Sequence, residues 1–465
     1  MILSLDLGTT NWKAAVFSPK GELLALARID TPIAEEDGFP CYDAHAVPEN
    51  LARLLGQISE EMRSQVRQIA LTGMAEAGLI LDRKTLAPLS NVWPWFDRRA
   101  LPLFDRLGKQ PPFAGREGVT GLPNSFKYGI YKFLTLLESG RYDAGSCLWM
   151  GFVAYAACLL TGETAEDVTI AARTFALNVH TRDWDDAFLA ALHLSRKNFP
   201  RLVFPGETVG KLRQSMFGLP AGIPVSIGGH DHVCAAHACG LLESGGVFVS
   251  TGTAQVMLGT RRENESATGL SYGPSPAGAP YTCLGSIQSA GGSINYWRKL
   301  LFPGETDYAV LLQEAQDAPN PTGLTYFPYL GGSGAPHLDP HARGALLGLS
   351  ESTTRGEIIA AVYEGVALES RYLLSHMDGC NGLICMGGLT RHRRYIQTLA
   401  DVTGLPVSVP GMDEGTLYGA ARLAAKLPPL PAEWTCYPDT DRHAYWTDMY
   451  NSRYLPLMKV TQQEE

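Results

Sequence analysis

Ile2-Leu3-Ser4-Leu5-Asp6-Leu7-Gly8-Thr9-Thr10 runs on into Ala14-Ala15-Val16-Phe17. Far downstream, Gly246-Val247-Phe248-Val249-Ser250-Thr251-Gly252-Thr253 runs on into Val256-Met257-Leu258. Each stretch reads as a buried strand, a tight turn of glycine and threonine, and a second strand. Two such hairpins in one chain predict two related halves, each offering a polar turn to a shared ligand. Free backbone N–H groups and threonine hydroxyls hold phosphate oxygens, and a carboxylate beside them, Asp6 in the first copy, holds a metal ion.

Outward from the first hairpin, Ser18-Pro19-Lys20-Gly21 is a turn and Leu23 to Ile29 a third strand. Leu51 to Val66 has helical spacing, and Ile69 to Gly73 reads as the next strand. That order predicts an α/β domain with a mixed sheet. Pro224 to Gly229 reads as a strand leading into His230-Asp231-His232, with a short helix from Val233 to Cys239 stopped by Gly240. Thr354 and Glu357 form a capping box for a helix running to Met377. Leu383 to Gly388 is a strand into a glycine turn, with a helix from Arg393 to Val402. Tyr445, Met449, Tyr450 and Tyr454 make a packing stripe in the tail.

The chain of 465 residues exceeds one ordinary core and predicts two or three domains. Its net charge of −9 argues against nucleic acid or an anionic membrane as the main partner. The longest candidate span, Met150 to Leu160, is too short for a bilayer, and the start lacks the pattern of a signal peptide. Nine scattered cysteines without CxxC or zinc spacing fit a reduced, cytoplasmic protein.

Several clusters carry candidate chemistry. His230-Asp231-His232 at a strand end fits a general base, a metal site built on both histidines, or a helix cap at Asp231. Gly387-Gly388 lets a nucleotide lie against the backbone, or lets a helix pack closely on a strand. Trp93-Pro94-Trp95-Phe96-Asp97-Arg98-Arg99 fits an aromatic sugar platform with polar groups, or a salt bridge beside a packed tryptophan. Glu76 fits a hydroxyl acceptor or an exposed loop acid. Lys13, one strand-turn from Thr10, fits a phosphate contact.

Taken together and in order, these stretches resemble the FGGY family of carbohydrate kinases from Met1 to about Ala425. Asp6 to Lys13 looks like the first phosphate motif. Gly73-Met74-Ala75-Glu76 and Trp95 to Arg99 look like sugar-contacting loops, and Lys127 lies in a stretch, Asn124 to Phe133, similar to the first family signature. Leu160-Thr161-Gly162-Glu163 to Asp167 is also typical of the family. Gly229-His230-Asp231 matches the catalytic aspartate, Ser250 to Thr253 the second phosphate motif, and Gly387-Gly388 the adenosine motif. Pro328-Tyr329-Leu330, Pro336-His337 and Ala342-Arg343-Gly344 resemble its strongest stretch. Departures fall on the pocket: Glu76 stands where many ketose kinases have histidine, as in polyol-using members, and Phe96 replaces a frequent asparagine.

The resemblance implies two ribonuclease H-like domains of the actin and hexokinase type. Each has a mixed five-stranded sheet flanked by helices, and ATP and sugar lie between them. The divisions implied are 1–240, 241–430 and a C-terminal tail helix at 431–465. The implied reaction transfers the γ-phosphoryl group of ATP to a hydroxyl of a small sugar, a pentulose or hexulose, with glycerol or another polyol as the alternative. Asp231 is the implied base, and Asp6 with Asp231 the implied Mg²⁺ ligands. Thr9, Thr10, Asn11, Lys13, Gly252, Thr253, Gly291, Asn295, Gly387, Gly388 and His392 would bind ATP. Ala75, Glu76, Asp97, Asp231 and His232 would bind the sugar. The partner is a small molecule, not nucleic acid or membrane, and a homodimer stays open. A metal-dependent hydrolase at His230-Asp231-His232 and a non-catalytic ATP-binding protein are the rival readings.

Overall fold

Ile2–Leu7 (β1) is buried almost throughout, and it pairs antiparallel with Asn11–Phe17 (β2), which pairs in turn with Leu23–Asp30 (β3). The computed structural model describes residues 1–263, 269–277, 280–303, 308–377 and 379–461. After the helix Val47–Leu55 (α1), Gln68–Gly73 (β4) returns parallel to β1. Thr208–Lys211 (β5) and Pro224–His230 (β6) complete a sheet of order β5-β6-β4-β1-β2-β3.

The second half repeats the plan. Val247–Thr251 (β7) pairs antiparallel with Gln255–Arg261 (β8), followed by Ser271–Pro274 (β9) and Tyr281–Ile287 (β10). Leu383–Gly387 (β11) lies parallel to β7, Val407–Pro410 (β12) parallel to β11, and Ala432–Cys436 (β13) closes the edge. The order is β9-β10-β8-β7-β11-β12-β13. Hence β3-β2-β1-β4-β6 and β10-β8-β7-β11-β12 share one topology. The five strands expected per sheet are these cores; edge strands bring the sheets to six and seven. The tail expected as a helix begins instead with β13, whose Trp434 pairs with Val409.

Helices form the layer between the sheets. Asp231–Ala238 (α2) packs against both sheets, and its main partner is a late helix of the chain, Gly415–Ala425. Around them Ile2 and Phe17 of the first sheet meet Phe248 and Leu258 of the second in one buried cluster. On the far side of the second sheet lie Gly291–Leu301 (α3), Arg355–Leu374 (α4), Arg393–Thr403 (α5) and, past Gly415–Ala425 (α6), Thr440–Met449 (α7). The capping box at Thr354 and Glu357 is formed, and α4 ends at Leu374. α6 belongs by position to the second half, yet most of its contacts are with β1, β2, β4, β6 and α2. An aromatic core of its own, including Trp93, Tyr131, Trp149 and Phe175, fills the insertion between β4 and β5.

Candidate active site

The carboxyl ends of β1, β4 and β6 lie side by side, because Asp6 is in register with Thr72 and Thr72 with Gly229. Thr72 Oγ1 donates to the Gly229 carbonyl at 2.7 Å, tying the turn after β6 to the sheet. Gly229 has φ +119°, and a Cβ there would stand 2.6 Å from Thr169 Oγ1. Only glycine fits that approach. Thr169 Oγ1 accepts from the His230 N–H at 2.9 Å and donates to Asp167 Oδ1. Asp167 also accepts the Thr169 and Ile170 N–H groups, capping the short helix Val168–Ala171.

This clamp presents Asp231 as the first residue of α2. Its side chain is part exposed; Oδ1 accepts from the His232 N–H at 2.6 Å and lies 3.2 Å from His230 Nε2. The cap reading at Asp231 is corrected: His230 occupies the capping position, without a side-chain cap bond. Burial depresses the His230 imidazole to about 4, against the pull of Asp231, so the ring is neutral at pH 7. His230, Asp231 and His232 offer ligand atoms within 4.8 Å of one another. Asp6 faces the same cleft. Burial, then the charge of Asp231, pushes it up to about 7 against Lys13, and its Oδ1 is buried with no hydrogen-bond partner among the described residues.

Beside Asp231 stands a compact ionic cluster. Glu76, in the left-handed region at φ +58°, takes both Nε and Nη2 of Arg173 on Oε1, at 2.8 and 2.6 Å. Lys127 Nζ is 3.8 Å from the same oxygen. Burial alone would raise the Glu76 carboxyl, but Arg173 and Lys127 hold it at about 2. Lys132 is completely buried and donates to the Glu76 and Pro94 carbonyls, fixing both loops from behind. Trp95 Nε1 donates to Thr9 Oγ1 at 3.0 Å, linking the aromatic loop to the first turn. Arg173 escaped the sequence reading; its signal was a lone arginine in the apolar run Val168 to Phe175.

Asp97, expected at the sugar, is turned away from the cleft opening and engaged elsewhere. Its side chain is fully buried and its oxygens are taken by the Arg99 backbone N–H and guanidinium, while Arg99 also binds Glu36 and stacks on Trp93 at 4.0 Å. The salt-bridge alternative for this loop holds. Ala75 is buried and offers only backbone. Lys13 is paired with Glu414, the residue before α6, at 2.7 Å. Thr10 is exposed at the tip of the first turn and Asn11 opens β2.

In the second half, a cavity of about 370 Å³ is lined by Gly252, Thr253, Gly291, Asn295, Gly388 and His392, by Thr251, Leu389 and Arg391 of the same motifs, and by the missed Ile294 and Leu312. The turn is preset: the Gly291 and Gly292 N–H groups bond to the Gly252 and Thr253 carbonyls, and Thr251 Oγ1 donates to the Met386 carbonyl. The two readings of Gly387-Gly388 divide between the residues. Gly388 lines the cavity, whereas Gly387 does not. At φ +105° Gly387 packs where a Cβ would meet the Thr251 carbonyl at 2.3 Å. His392 is held by Tyr363 at 2.6 Å and pushed down to about 4 by burial, hence neutral.

Family models described as the N-terminal and C-terminal domains of the FGGY family of carbohydrate kinases match residues 1–238 and 247–427. A protein named glycerol kinase from Oleidesulfovibrio alaskensis is 29% identical over 446 residues, covering 91% of this chain and 89% of that protein. A ligand-bound xylulose kinase from Lactobacillus acidophilus superposes with a TM-score of 0.89 at 22% identity, over 99% of this chain and 98% of that one. A Plasmodium falciparum glycerol kinase with ADP gives 0.87 at 20% identity, over 100% and 98%.

Proposed function

The chain belongs to the FGGY family of carbohydrate kinases, and from that premise we propose its acceptor and the work of its residues. As a member it is an ATP- and Mg²⁺-dependent phosphotransferase acting on an alcohol group. The acceptor proposed is an open-chain ketose of five or six carbons. The observation that carries this reading is the Glu76–Arg173–Lys127 cluster beside Asp231. Glu76, held ionised, accepts from sugar hydroxyls. Lys127, whose contact with Glu76 is long, keeps donor capacity for a keto oxygen. Trp95 offers an exposed apolar face to the carbon chain.

In this reading Asp231 accepts the proton of the attacking hydroxyl. His230, neutral, orients it without competing as a cation. The Asp6 and Asp231 carboxylates fit a Mg²⁺ ion, since the buried, unpartnered Asp6 Oδ1 and the mutual repulsion of the two acids call for a cation. When bound, Mg²⁺ supplies charge neutralisation to the phosphate oxygens. Thr9, Thr10, Asn11 and Lys13 face the phosphates from the first turn, and Gly252 and Thr253 from the second. Gly291, Asn295, Gly388 and His392 take the adenosine.

A glycerol acceptor is the second reading, favoured by the relative named glycerol kinase. A coupled ADP-release screen over glycerol, tetruloses, pentuloses, hexuloses and aldonates tests both. The highest kcat/KM is expected with a pentulose or hexulose. Glycerol as best acceptor would overturn the ketose assignment.

A further inference from the structure

A second cavity, of about 620 Å³, opens beside α5, where Arg393, Arg394 and Gln397 line it. Residues of a single segment line both: Gly388, Leu389, Arg391 and His392 face the first cavity, and Arg393 and Arg394 face the second. Its volume lies within the range of small-molecule sites.

The lining is cationic in a chain of net charge −9. Arg393 sits over the Trp434 indole, its guanidinium carbon 3.6 Å from the ring centroid, and it has no carboxylate within 4 Å among the described residues. A guanidinium stacked in this way has lost its rotamer freedom and leaves its donor edge open. Arg442, also on the lining, stands with Nε 2.9 Å from the buried Asp401 carboxylate, and among the described residues its terminal nitrogens have only a 3.7 Å contact with Asp439. Arg394 is 6% exposed, stands 3.5 Å from the buried Glu364 carboxylate and spends its terminal nitrogens on the carbonyls of Ala315, Ala318 and Pro319, while its Nε has no hydrogen-bond partner among the described residues. The buried Oδ1 of Asn320, another lining residue, is also without one among the described residues. The cavity thus combines a preorganised guanidinium fork, a second arginine and the amides of Asn320 and Gln316. Forked guanidinium groups match phosphate oxygens two at a time, and amides match hydroxyls.

From this we infer that the cavity between α5, β13 and the segment around Asn320 binds a phosphomonoester-bearing sugar or polyol, separately from the catalytic cleft. The phosphate sits between Arg393 and Arg442, and the hydroxyls reach Gln316 and Asn320.

Titration calorimetry of glucose 6-phosphate, ribose 5-phosphate and inorganic phosphate into the ADP-saturated protein tests the site. Saturable binding of at least one sugar phosphate below about 1 mM is expected, tighter than inorganic phosphate. Arg393→Ala, a change at an exposed side chain, should weaken it by about tenfold or more without altering the affinity for ADP alone. Trp434→Phe, which keeps a stacking face, should retain most of it. No saturation by any of the three ligands overturns the inference. So does binding that Arg393→Ala leaves unchanged, since that binding would belong to the catalytic cleft.

Discussion

Asp231 is the residue whose loss should cost turnover most while sparing nucleotide binding. Asp231→Asn keeps the size of the side chain and an oxygen to accept the His232 N–H, and removes the proton acceptor. The expected fall in kcat is about 10²–10⁴-fold, with ADP affinity by calorimetry unchanged. Near-normal turnover would reassign the base. At this scale the sequence spoke unevenly. An acid at the end of an apolar strand is legible as poised for chemistry, because nothing apolar explains it. Asp97 looked equally poised in Trp93 to Arg99, but Arg99 folds back over it and closes it off. Short-range pairing of that kind depends on rotamers, which sequence spacing does not fix. The partner of Glu76, Arg173, comes from nearly a hundred residues away.

At the scale of elements, the strands were the legible part, since period-two and continuous apolar runs mark them, and both hairpins fold as expected. The stretch from Leu51 to Val66 reads as one helix but is divided into Val47–Leu55 and Glu60–Ser64. Ser59 caps the second piece, where its side chain competes for the backbone. Invisible in sequence was the short strand Ala165–Asp167, which carries two adjacent acids into the interior. Asp167 is consumed in holding Thr169 and, through it, His230. Glu166 has no such use. Burial, then Asp167, pushes its carboxyl from 4.5 up to about 8. In the folded protein it therefore stays protonated while the unfolded chain ionises near 4.5. The stability it contributes is fully present below that value and is lost as pH rises towards about 8. Glu166→Gln removes the titration. Its melting temperature relative to the parent should rise steadily across this window in thermal melts. A difference independent of pH would show that Glu166 is not a buried neutral acid.

At the scale of the molecule, the duplicated topology puts the two glycine–threonine turns at equivalent places in the two sheets, with α2 and α6 between them. The sequence repeat disclosed the duplication. It did not disclose that α6 crosses back onto the first sheet, because an amphipathic helix does not name its partner. That crossing has a consequence for Lys13. The chain leaves β12 in the second sheet, passes Glu414 and enters α6 against the first, so the Lys13–Glu414 pair sits at the junction between the halves. Both side chains are partly exposed, and such a pair contributes up to about 1 kcal/mol. If Lys13 serves the phosphates, it must leave Glu414 or share itself, and the pair then opposes nucleotide binding. Glu414→Gln should tighten ADP binding by up to about fivefold, and Lys13→Ala should weaken it in both backgrounds. A purely structural pair would give the opposite pattern: a lower melting temperature for Glu414→Gln, with ADP affinity unmoved by either substitution.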